Sequence, residues 1–327
     1  MILILSEEMD PHATRVLEAL RQRGAAGPQS VVRFNPGRFP STTELSFSCT
    51  ASGHVRRYLR VDGALVDLDR VTAVWYRRPG RPEPHAEITD ERMRKCIADE
   101  CQSILNDVWH TLDCRWVPAR PSVIRRAELK AAQLMLAGAL GFELPPTLLS
   151  NSPEAFLEFY RQQNADVVSK LAGGSFMLGF GEEFMRYTEG VSRRDVGYAG
   201  SVRYAPVFFQ AYVPKRVELR VTVVGQKVFA AEIHSQASHR TRHDWRRYDL
   251  FRTIYLPHEL PVEVEKRCVQ LVRRLDLCYG AIDMILTPDD HYVFLEINPN
   301  GQYLWIEDET GLAISDALCE LLISGEA

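Results

Sequence analysis

Apolar and polar positions along the chain predict strands and helices that alternate from the N-terminus onwards. Ile2 to Leu5 is a continuous apolar run, Pro11 to Arg23 carries apolar residues at helical spacing, and Val31 to Phe34 is apolar again. This strand–helix–strand order is typical of a doubly wound α/β domain. A further strand from Val71 to Tyr76 and a long helix from Ile88 to Leu112 extend the same domain.

Two further features complete the first part of the chain. Leu45 to Cys49 and Val55 to Val61 predict a polar-faced hairpin or an insertion at the edge of the domain. Pro118 to Pro121 then interrupts the pattern, and we place a domain boundary there. Residues 1–119 are therefore assigned to an N-terminal α/β domain.

Beyond this boundary the pattern predicts a mixture of helices and strands. The predicted helices are Val123 to Leu140, Pro153 to Gln162 with Ser152 as the N-cap, Pro261 to Arg274, and Gly311 to Ile323. The predicted strands are Asp166 to Leu171, Pro206 to Val213, and a hairpin from Lys215 to Ser235 that turns at Gly225 and Gln226.

A second hairpin is predicted from Gly280 to Gly301. Its two apolar-rich segments are joined by Pro288-Asp289-Asp290, which is turn chemistry. A four-residue connection makes Thr287 face Tyr292. The apolar residues that flank the centre of this hairpin are Met284, Ile285, Leu286, Val293, Leu295 and Ile297.

This register brings three oxygen-bearing side chains together. Counting back from the turn places Asp283 opposite Glu296, and Asn298 shares the face of Glu296 because side chains alternate along a strand. Two facing carboxylates repel each other unless a cation lies between them. Mg²⁺ binds a few such oxygens and keeps its other positions for phosphate. The alternative is an ordinary hairpin whose acids face water.

Composition and charge exclude several classes of protein. The chain has 327 residues and a net charge of −4, so it does not look like a general nucleic-acid binder. Its seven cysteines form no CxxC pair, which indicates a reducing cytosol and neither a disulfide framework nor a zinc site. No apolar run is long enough to span a membrane, and the N-terminus lacks the features of a signal peptide.

Lysine is scarce in this arginine-rich chain, so two lysines in phosphate-binding contexts are noticeable. Lys170 ends a predicted strand and precedes a loop that contains Gly173 and Gly174. Backbone N–H groups of such a loop, with one ammonium group, can surround a phosphate. Lys130 lies on a predicted helix, where the alternative is an ordinary surface lysine.

Arginines are concentrated in two further segments. Arg77 and Arg78 follow a predicted strand and precede Pro79, which stops that strand. Paired guanidinium groups can bind carboxylates or phosphates bidentately. The segment from His239 to Asp249 contains Arg246 and is dense in charge. For both segments, a solvated charged loop is the alternative.

The order of these residues resembles the ATP-grasp ligases. Asp283, with Glu296 and Asn298 two residues apart on the next strand, matches the metal ligands of that family. The longer string LEINPNGQYLWIE, with WYRRP and DWR elsewhere in the chain, is similar to the members that macrocyclise ribosomally made peptides, the microviridin or graspetide maturases.

The resemblance implies a role for each candidate residue. Asp283, Glu296 and Asn298 would bind Mg²⁺, and Glu218 would bind the ribose of ATP. Arg220 would contact the transferred phosphate, as a catalytic residue. The residues implied for the rest of ATP are Lys130, Lys170, Gly173, Gly174, Gln210, Tyr212 and Val213. Arg77 and Arg78 would lie at the mouth of the active site, Arg246 would lie in an active-site loop, and all three would act on the substrate.

The implied fold is an N-terminal doubly wound pre-ATP-grasp domain, residues 1–119, followed by a two-subdomain ATP-grasp module with α+β halves at 120–205 and 206–327. The implied activity is ATP-dependent ligation of Asp or Glu side chains to Ser or Thr hydroxyls or Lys amines within a precursor peptide that has a leader and an acidic core. We expect a cytoplasmic homodimer without nucleic-acid or membrane partners. The alternatives are a glutathione synthetase- or RimK-like ligase and a non-catalytic ATP-binding regulatory module.

Overall fold

The computed structural model describes residues 1–23, 30–170, 176–178, 182–184, 188–235 and 253–325. The strands of its N-terminal part are β1 (Ile2–Ser6), β2 (Val31–Phe34), β3 (Glu44–Cys49), β4 (Val55–Val61), β5 (Ala64–Asp67), β6 (Ala73–Arg78) and β7 (Arg115–Val117). The helices of this part are α1 (Pro11–Gln22) and α2 (Glu91–His110). Asp10 and Asp90 are their N-caps, and each accepts a backbone N–H of its helix.

The first sheet is parallel, with the strand order β2-β1-β6-β7. Alternate residues of β1 enter different cores, because Ile2 and Ile4 pack with α1 whereas Leu3 and Leu5 pack with α2. Successive side chains of a strand point to opposite faces, so α1 and α2 cover opposite faces of the sheet. This arrangement confirms the predicted doubly wound domain.

The predicted edge hairpin is present and gains a third strand. Strands β3, β4 and β5 form a separate antiparallel sheet. Asp62 and Gly63 form the two-residue turn between β4 and β5, with φ values of +48° and +80°. Such a turn needs positive φ at both residues, which Asp and Gly tolerate.

The middle part of the chain contains mostly short elements. Its helices are α3 (Pro121–Ala127), α4 (Lys130–Ala139), α5 (Pro153–Gln162) and α6 (Arg193–Gly197). Its strands are β8 (Thr147–Ser150), β9 (Val167–Lys170), β10 (Phe176–Leu178), β11 (Glu182–Phe184) and β12 (Glu189–Gly190). The predicted cap of α5 is confirmed, since the Ser152 hydroxyl accepts the Ala155 N–H at 3.1 Å.

The last part of the chain carries the longest strands. They are β13 (Val207–Ala211), β14 (Val217–Val224), β15 (Lys227–Ile233), β16 (Tyr255–His258), β17 (Tyr279–Leu286) and β18 (Tyr292–Asn298). The helices are α7 (Val262–Arg274), α8 (Leu304–Thr310) and α9 (Ile314–Ile323). Gly311 was expected to open the closing helix, but it ends α8 in the left-handed conformation, and α9 begins three residues later.

Strands β8, β9 and β12 to β18 form two antiparallel sheets. The smaller has the order β12-β9-β13-β8, and the larger has the order β16-β15-β14-β17-β18. The smaller sheet packs on α5 through a local core, with Phe209 stacked on Phe156 at 4.3 Å between ring centroids. The larger sheet buries one face against α7, where Cys268, Leu271 and Val272 are almost fully buried.

Helix α9 joins the N-terminal domain to the larger sheet. Its residues Ile314, Leu318 and Leu322 share one core with Val16 of α1 and Val224 of β14. The first and last parts of the chain therefore share a continuous core. The predicted order of a doubly wound N-terminal domain followed by two α+β halves is confirmed at the level of fold, whereas the boundaries near residues 119 and 205 stay a prediction. No helix within the described ranges is long and apolar enough to cross a membrane.

Candidate active site

The central feature of the site is the facing pair of acids on β17 and β18. Asp283 is the cross-strand partner of Glu296, as the alternation of side chains predicts. Asn298 joins them, because its side-chain nitrogen donates to Asp283 Oδ2 at 3.3 Å. The three side chains project from the face of the larger sheet that does not contact α7.

The turn that leads to this pair differs from the expected one. Leu286, rather than Thr287, is the partner of Tyr292, so the connection has five residues. The pairing then shifts by one residue between Met284 and Asp283, where Leu295 of β18 has no partner. This bulge offsets the longer turn and restores the predicted pairing of Asp283 with Glu296.

Basic side chains contact both acids. Arg220 lies opposite Asp283 on the adjacent strand β14, and its Nη1 donates to Asp283 Oδ1 at 2.8 Å. Lys130 donates from its ammonium group to Glu296. Burial opposes the charge of Arg220, but the carboxylates of Asp283 and Glu296 outweigh burial and raise the pKa of its guanidinium.

The acids and Asn298 fit Mg²⁺ better than a softer metal. Within the described ranges, no group of three or more His, Cys, Asp or Glu side chains could hold a metal ion. The candidate set here is different, because its third member is the amide side chain of Asn298. A cation here would have two carboxylates, one amide oxygen and oxygens from outside the chain, which is typical of Mg²⁺ with a nucleotide. Asn298 presents its nitrogen to Asp283, so metal binding requires its amide group to turn over.

Lys130 reaches the acids because the predicted helix is broken. The helix expected from Val123 to Leu140 is two helices, since Leu129 is extended and Lys130 begins α4. Gln133 stabilises the break by donating to the carbonyls of Ala127 at 2.6 Å and Ile297 at 2.8 Å. The sequence contains neither Gly nor Pro at this point, so it gives no signal of the break.

The smaller sheet contributes the second candidate lysine. Lys170 ends β9, and its ammonium group donates to Gln210 Oε1 at 3.1 Å. Gln210 in turn donates to the Thr147 hydroxyl at 2.9 Å. The structure thus brings together two of the predicted nucleotide residues, Lys170 and Gln210. Gly173 and Gly174 lie outside the described residues.

The segment after β13 contains the other candidate nucleotide contacts. Tyr212 and Val213 are half-buried, and the Tyr212 N–H donates to the Asp166 carbonyl at 2.9 Å. That N–H is therefore occupied within the protein. Glu218 on β14 is buried and accepts hydrogen bonds from Lys215 at 3.0 Å and Ser235 at 2.8 Å.

The three arginines expected to act on the substrate have different positions. Arg77 is only 5% exposed, so its burial contradicts the expected position. Its Nε lies 3.1 Å from Asp10, and its Nη1 donates to the Asn300 carbonyl at 2.7 Å. The Arg78 side chain is 60% exposed, with its Nε 4.0 Å from Glu7 Oε2, and it can reach a large substrate. Arg246 lies outside the described residues.

Sequence reasoning missed several polar residues of this region. Lys215 has a side chain only 5% exposed, although it reads as a surface residue beside Pro214. Tyr279 is fully buried, its hydroxyl donates to the Gly301 carbonyl at 2.6 Å, and burial raises its pKa to about 12. His12 was missed because two of its partners, Tyr303 and Leu304, are some 290 residues away.

Comparison with known proteins finds one family and several solved structures that resemble this chain. The MvdD pre-ATP grasp domain family matches residues 1–123. No curated protein matches the chain in sequence.

Similar solved structures cover almost the whole chain. The macrocyclase MdnC from Microcystis aeruginosa MRC, solved with its precursor peptide MdnA, is 29% identical with a TM-score of 0.85, covering 98% of both chains. The macrocyclase MdnB from the same organism is 32% identical with a TM-score of 0.81, covering 99% of both chains. A RiPP-associated ATP-grasp ligase from Chryseobacterium gregarium, in complex with ADP and a leader and core peptide, is 31% identical with a TM-score of 0.90, covering 100% of this chain and 97% of that one.

Proposed function

The chain belongs to the ATP-grasp ligases associated with ribosomally synthesised and post-translationally modified peptides (RiPPs), and on this premise we propose that it macrocyclises a precursor peptide. An Asp or Glu side-chain carboxylate of the peptide attacks the γ-phosphorus of ATP, giving an acyl phosphate and ADP. A Ser or Thr hydroxyl or a Lys amine then attacks the acyl carbon and releases phosphate. The product is a macrocyclic ω-ester or ω-amide, and one molecule of water is lost from the peptide.

The observation that carries this proposal is the facing pair Asp283 and Glu296, with Asn298 beside them and Arg220 and Lys130 against them. Mg²⁺ bound by these oxygens would neutralise charge on the phosphates during transfer. When the nucleotide binds, Arg220 would release Asp283, Lys130 would release Glu296, and both would contact phosphate oxygens instead. Their charge is then already in place for the transferred group.

The remaining candidate residues are assigned to the rest of the nucleotide. Lys170, with Gly173 and Gly174, would bind phosphates. Glu218 would accept hydrogen bonds from the ribose hydroxyls. Gln210, Tyr212 and Val213 would line the adenine pocket. Support for Lys170 and Gln210 comes from their hydrogen bond, which puts both side chains in one place.

The peptide half of the proposal rests on exposed cationic charge and on the relatives. MdnC and the Chryseobacterium gregarium ligase are described with bound peptides, and the latter also with ADP. Arg78 is exposed, and a guanidinium suits the carboxylates of an acidic core. We propose that Arg78 and Arg246 contact this core and that residues 176–200 contact the leader.

Two further properties belong to the proposal. All seven cysteines are free, which fits an enzyme of the reducing cytosol. A homodimeric assembly stays a prediction, and light scattering at several protein concentrations checks it.

Mass spectrometry of a peptide incubated with enzyme tests the activity. The probe is a peptide encoded beside the gene, with a leader and a core rich in Thr, Ser, Asp and Glu. With ATP and Mg²⁺ the peptide should lose the mass of one water per crosslink, and no loss should occur when either is omitted. Removing the leader should slow the reaction while ATP binding persists. Addition of free amino acids without dehydration would favour a glutathione synthetase- or RimK-like ligase, and nucleotide binding without turnover would favour a regulatory module.

A further inference from the structure

The loop that follows the metal-binding strand is held at five consecutive residues by buried side chains. Three of its carbonyls accept hydrogen bonds, from Arg77 to Asn300 at 2.7 Å, from Tyr279 to Gly301 at 2.6 Å, and from Arg220 to Gln302 at 2.9 Å. Two of its N–H groups, those of Tyr303 and Leu304, donate to His12 Nε2 at 3.1 Å each. We call residues 299–304 the post-ligand loop, of which Leu304 is also the first residue of α8.

Two of these four side chains come from the N-terminal domain, and one buried carboxylate contacts both. Asp10 Oδ1 lies 3.1 Å from His12 Nδ1, and Asp10 Oδ2 lies 3.1 Å from Arg77 Nε. Asp10, His12 and Arg77 are each at most 5% exposed. We call these three residues the Asp10 network.

The contacts of His12 fix its protonation. Its Nε2 accepts two backbone N–H groups, so Nε2 carries no proton and Nδ1 donates to Asp10. Burial opposes the charge of Asp10, but the hydrogen bond with His12 and the charge of Arg77 outweigh it and hold the pKa of Asp10 well below its ordinary value of 3.8. Asp10 therefore stays ionised while it orients both partners.

The post-ligand loop is in direct contact with the metal site. It begins one residue after Asn298, and its Gln302 carbonyl holds the same guanidinium group that binds Asp283. A Cβ at Gly301 would lie 2.3 Å from Ala281 Cβ and 2.7 Å from Arg220 Nη2, so the loop packs tightly against this part of the sheet. A displaced loop would therefore move Arg220 and Asn298 with it.

We propose that the Asp10 network consists of positioning residues for the metal site. These side chains of the N-terminal domain fix the post-ligand loop and thereby set the positions of Asn298 and Arg220, without contact with metal, nucleotide or peptide. Arg77 thus acts through the loop and does not bind the carboxylates of the peptide. The inference rests on the metal site of the proposed function.

Arg115 offers a matched control for Arg77. It also belongs to the N-terminal sheet and also donates to carbonyls of the C-terminal part, at Leu321, Leu322 and Ser324, over 3.3, 3.2 and 3.1 Å. These carbonyls lie at the end of α9, away from the post-ligand loop. The same substitution, Arg→Lys, keeps the charge at both positions and shortens the reach of the donors.

The experiment measures Mn²⁺ binding by electron paramagnetic resonance, with ADP present and Mn²⁺ as the probe for the Mg²⁺ site. Arg77→Lys should weaken Mn²⁺ binding by about tenfold, the lower end of the ~10–100-fold range known for residues that orient metal ligands. Arg115→Lys should leave Mn²⁺ binding unchanged. Thermal unfolding verifies that both variants are folded.

A second pair of variants separates positioning from simple stability. His12→Gln retains an oxygen that can accept the two N–H groups, so it should bind Mn²⁺ nearly as the unsubstituted protein does. His12→Leu lacks an acceptor and should weaken Mn²⁺ binding as Arg77→Lys does. Equal Mn²⁺ affinities for His12→Gln and His12→Leu would contradict the inference.

Glu296→Gln distinguishes failure of the inference from failure of the proposed function. If Glu296→Gln does not weaken Mn²⁺ binding, the proposed metal site itself is wrong. If Glu296→Gln weakens binding and folded Arg77→Lys does not, only the positioning role is overturned. A raised KM for the peptide in Arg77→Lys, with unchanged Mn²⁺ binding, would instead assign Arg77 to the substrate.

Discussion

The two antiparallel sheets that carry the candidate nucleotide residues are supported in different ways. The larger sheet shares a core with α1 and α9, and its Arg220 and Asp283 form an ion pair beside a loop held by the N-terminal domain. The smaller sheet packs on α5 and on the segment that contains Ala199 and Val202. Its Lys170 donates a hydrogen bond to the neutral side chain of Gln210. The half of the candidate site around Asp283 and Glu296 is therefore fixed by long-range packing, whereas the half around Lys170 is a small local unit.

This difference predicts that substitutions in the larger sheet reduce catalysis most. Glu296→Gln removes one negative charge from the proposed metal site at nearly constant shape, so turnover should fall by about 10²–10³-fold, the scale for loss of one preorganised electrostatic contact. ADP release in the presence of the precursor peptide measures the effect. Unchanged turnover in a folded Glu296→Gln protein would make the hairpin purely structural.

Lys170 tests the smaller sheet and should affect affinity instead. Lys170→Ala should weaken ATP binding by about tenfold, or ~1.4 kcal/mol, since one charge-assisted contact to phosphate is lost. Isothermal titration calorimetry gives the affinity directly. Lys227→Ala is the control, because Lys227 contacts Glu320 on the protein surface. A wild-type affinity in Lys170→Ala would remove Lys170 from the phosphate site.

Arg78 tests whether peptide recognition is separate from both sheets. Arg78→Ala should slow peptide dehydration by a few fold, because an exposed charge pair is worth only about 0–1 kcal/mol. ATP affinity should remain unchanged, since Arg78 lies on β6 of the N-terminal sheet. An equal loss of ATP affinity in the same calorimetric assay would place Arg78 at the nucleotide.

The smallest expected effect is a pH dependence of stability that arises from His12 in the N-terminal domain. Burial, with the nearby charges of Arg77 and Arg78, lowers the pKa of His12 below its ordinary 6.5, although the hydrogen bond and charge of Asp10 oppose this. Among the charged groups, Asp10 contacts the ring, and Arg77 and Arg78 act on it through their charge, while Tyr303 contacts its edge.

The sign of the pH effect follows from proton linkage. Below about pH 6.5 the unfolded chain protonates His12 while the folded chain does not, so stability falls as the pH falls. The lowered pKa of Asp10 adds a further loss only in stronger acid. Urea unfolding between about pH 7 and pH 5 should show a smaller loss for His12→Gln than for the unsubstituted protein. Equal losses would show that His12 does not titrate in this way.

The alternation of side chains along strands predicted the pairing of the two acids, but no local pattern predicted the contacts that surround them. The pairing of Asp283 with Glu296 follows from alternation along two strands, and it survived a turn that is one residue longer than expected because Leu295 forms a bulge. The break before Lys130 was not predictable, because Gln133 stabilises it through Ala127 and a distant strand.

Long-range contacts account for most of what the sequence did not reveal. Arg77 stands beside Arg78 in one motif, yet one is buried and the other exposed. Nothing in the motif separates them, because the difference is set by Asp10 and Asn300, which lie far away in the sequence. The same holds for His12, whose bond to Tyr303 joins residues 291 positions apart.

The central claim is that the site activates a peptide carboxylate as an acyl phosphate. Labelling the Asp and Glu side-chain carboxylates of the precursor with ¹⁸O tests it directly, because attack on the γ-phosphorus places a carboxylate oxygen between carbon and phosphorus. The second step breaks the bond between the acyl carbon and that oxygen. Mass spectrometry should find one labelled oxygen in the released inorganic phosphate for each crosslink formed, together with ADP. Unlabelled phosphate from a peptide that is nevertheless crosslinked, or AMP in place of ADP, would contradict the account.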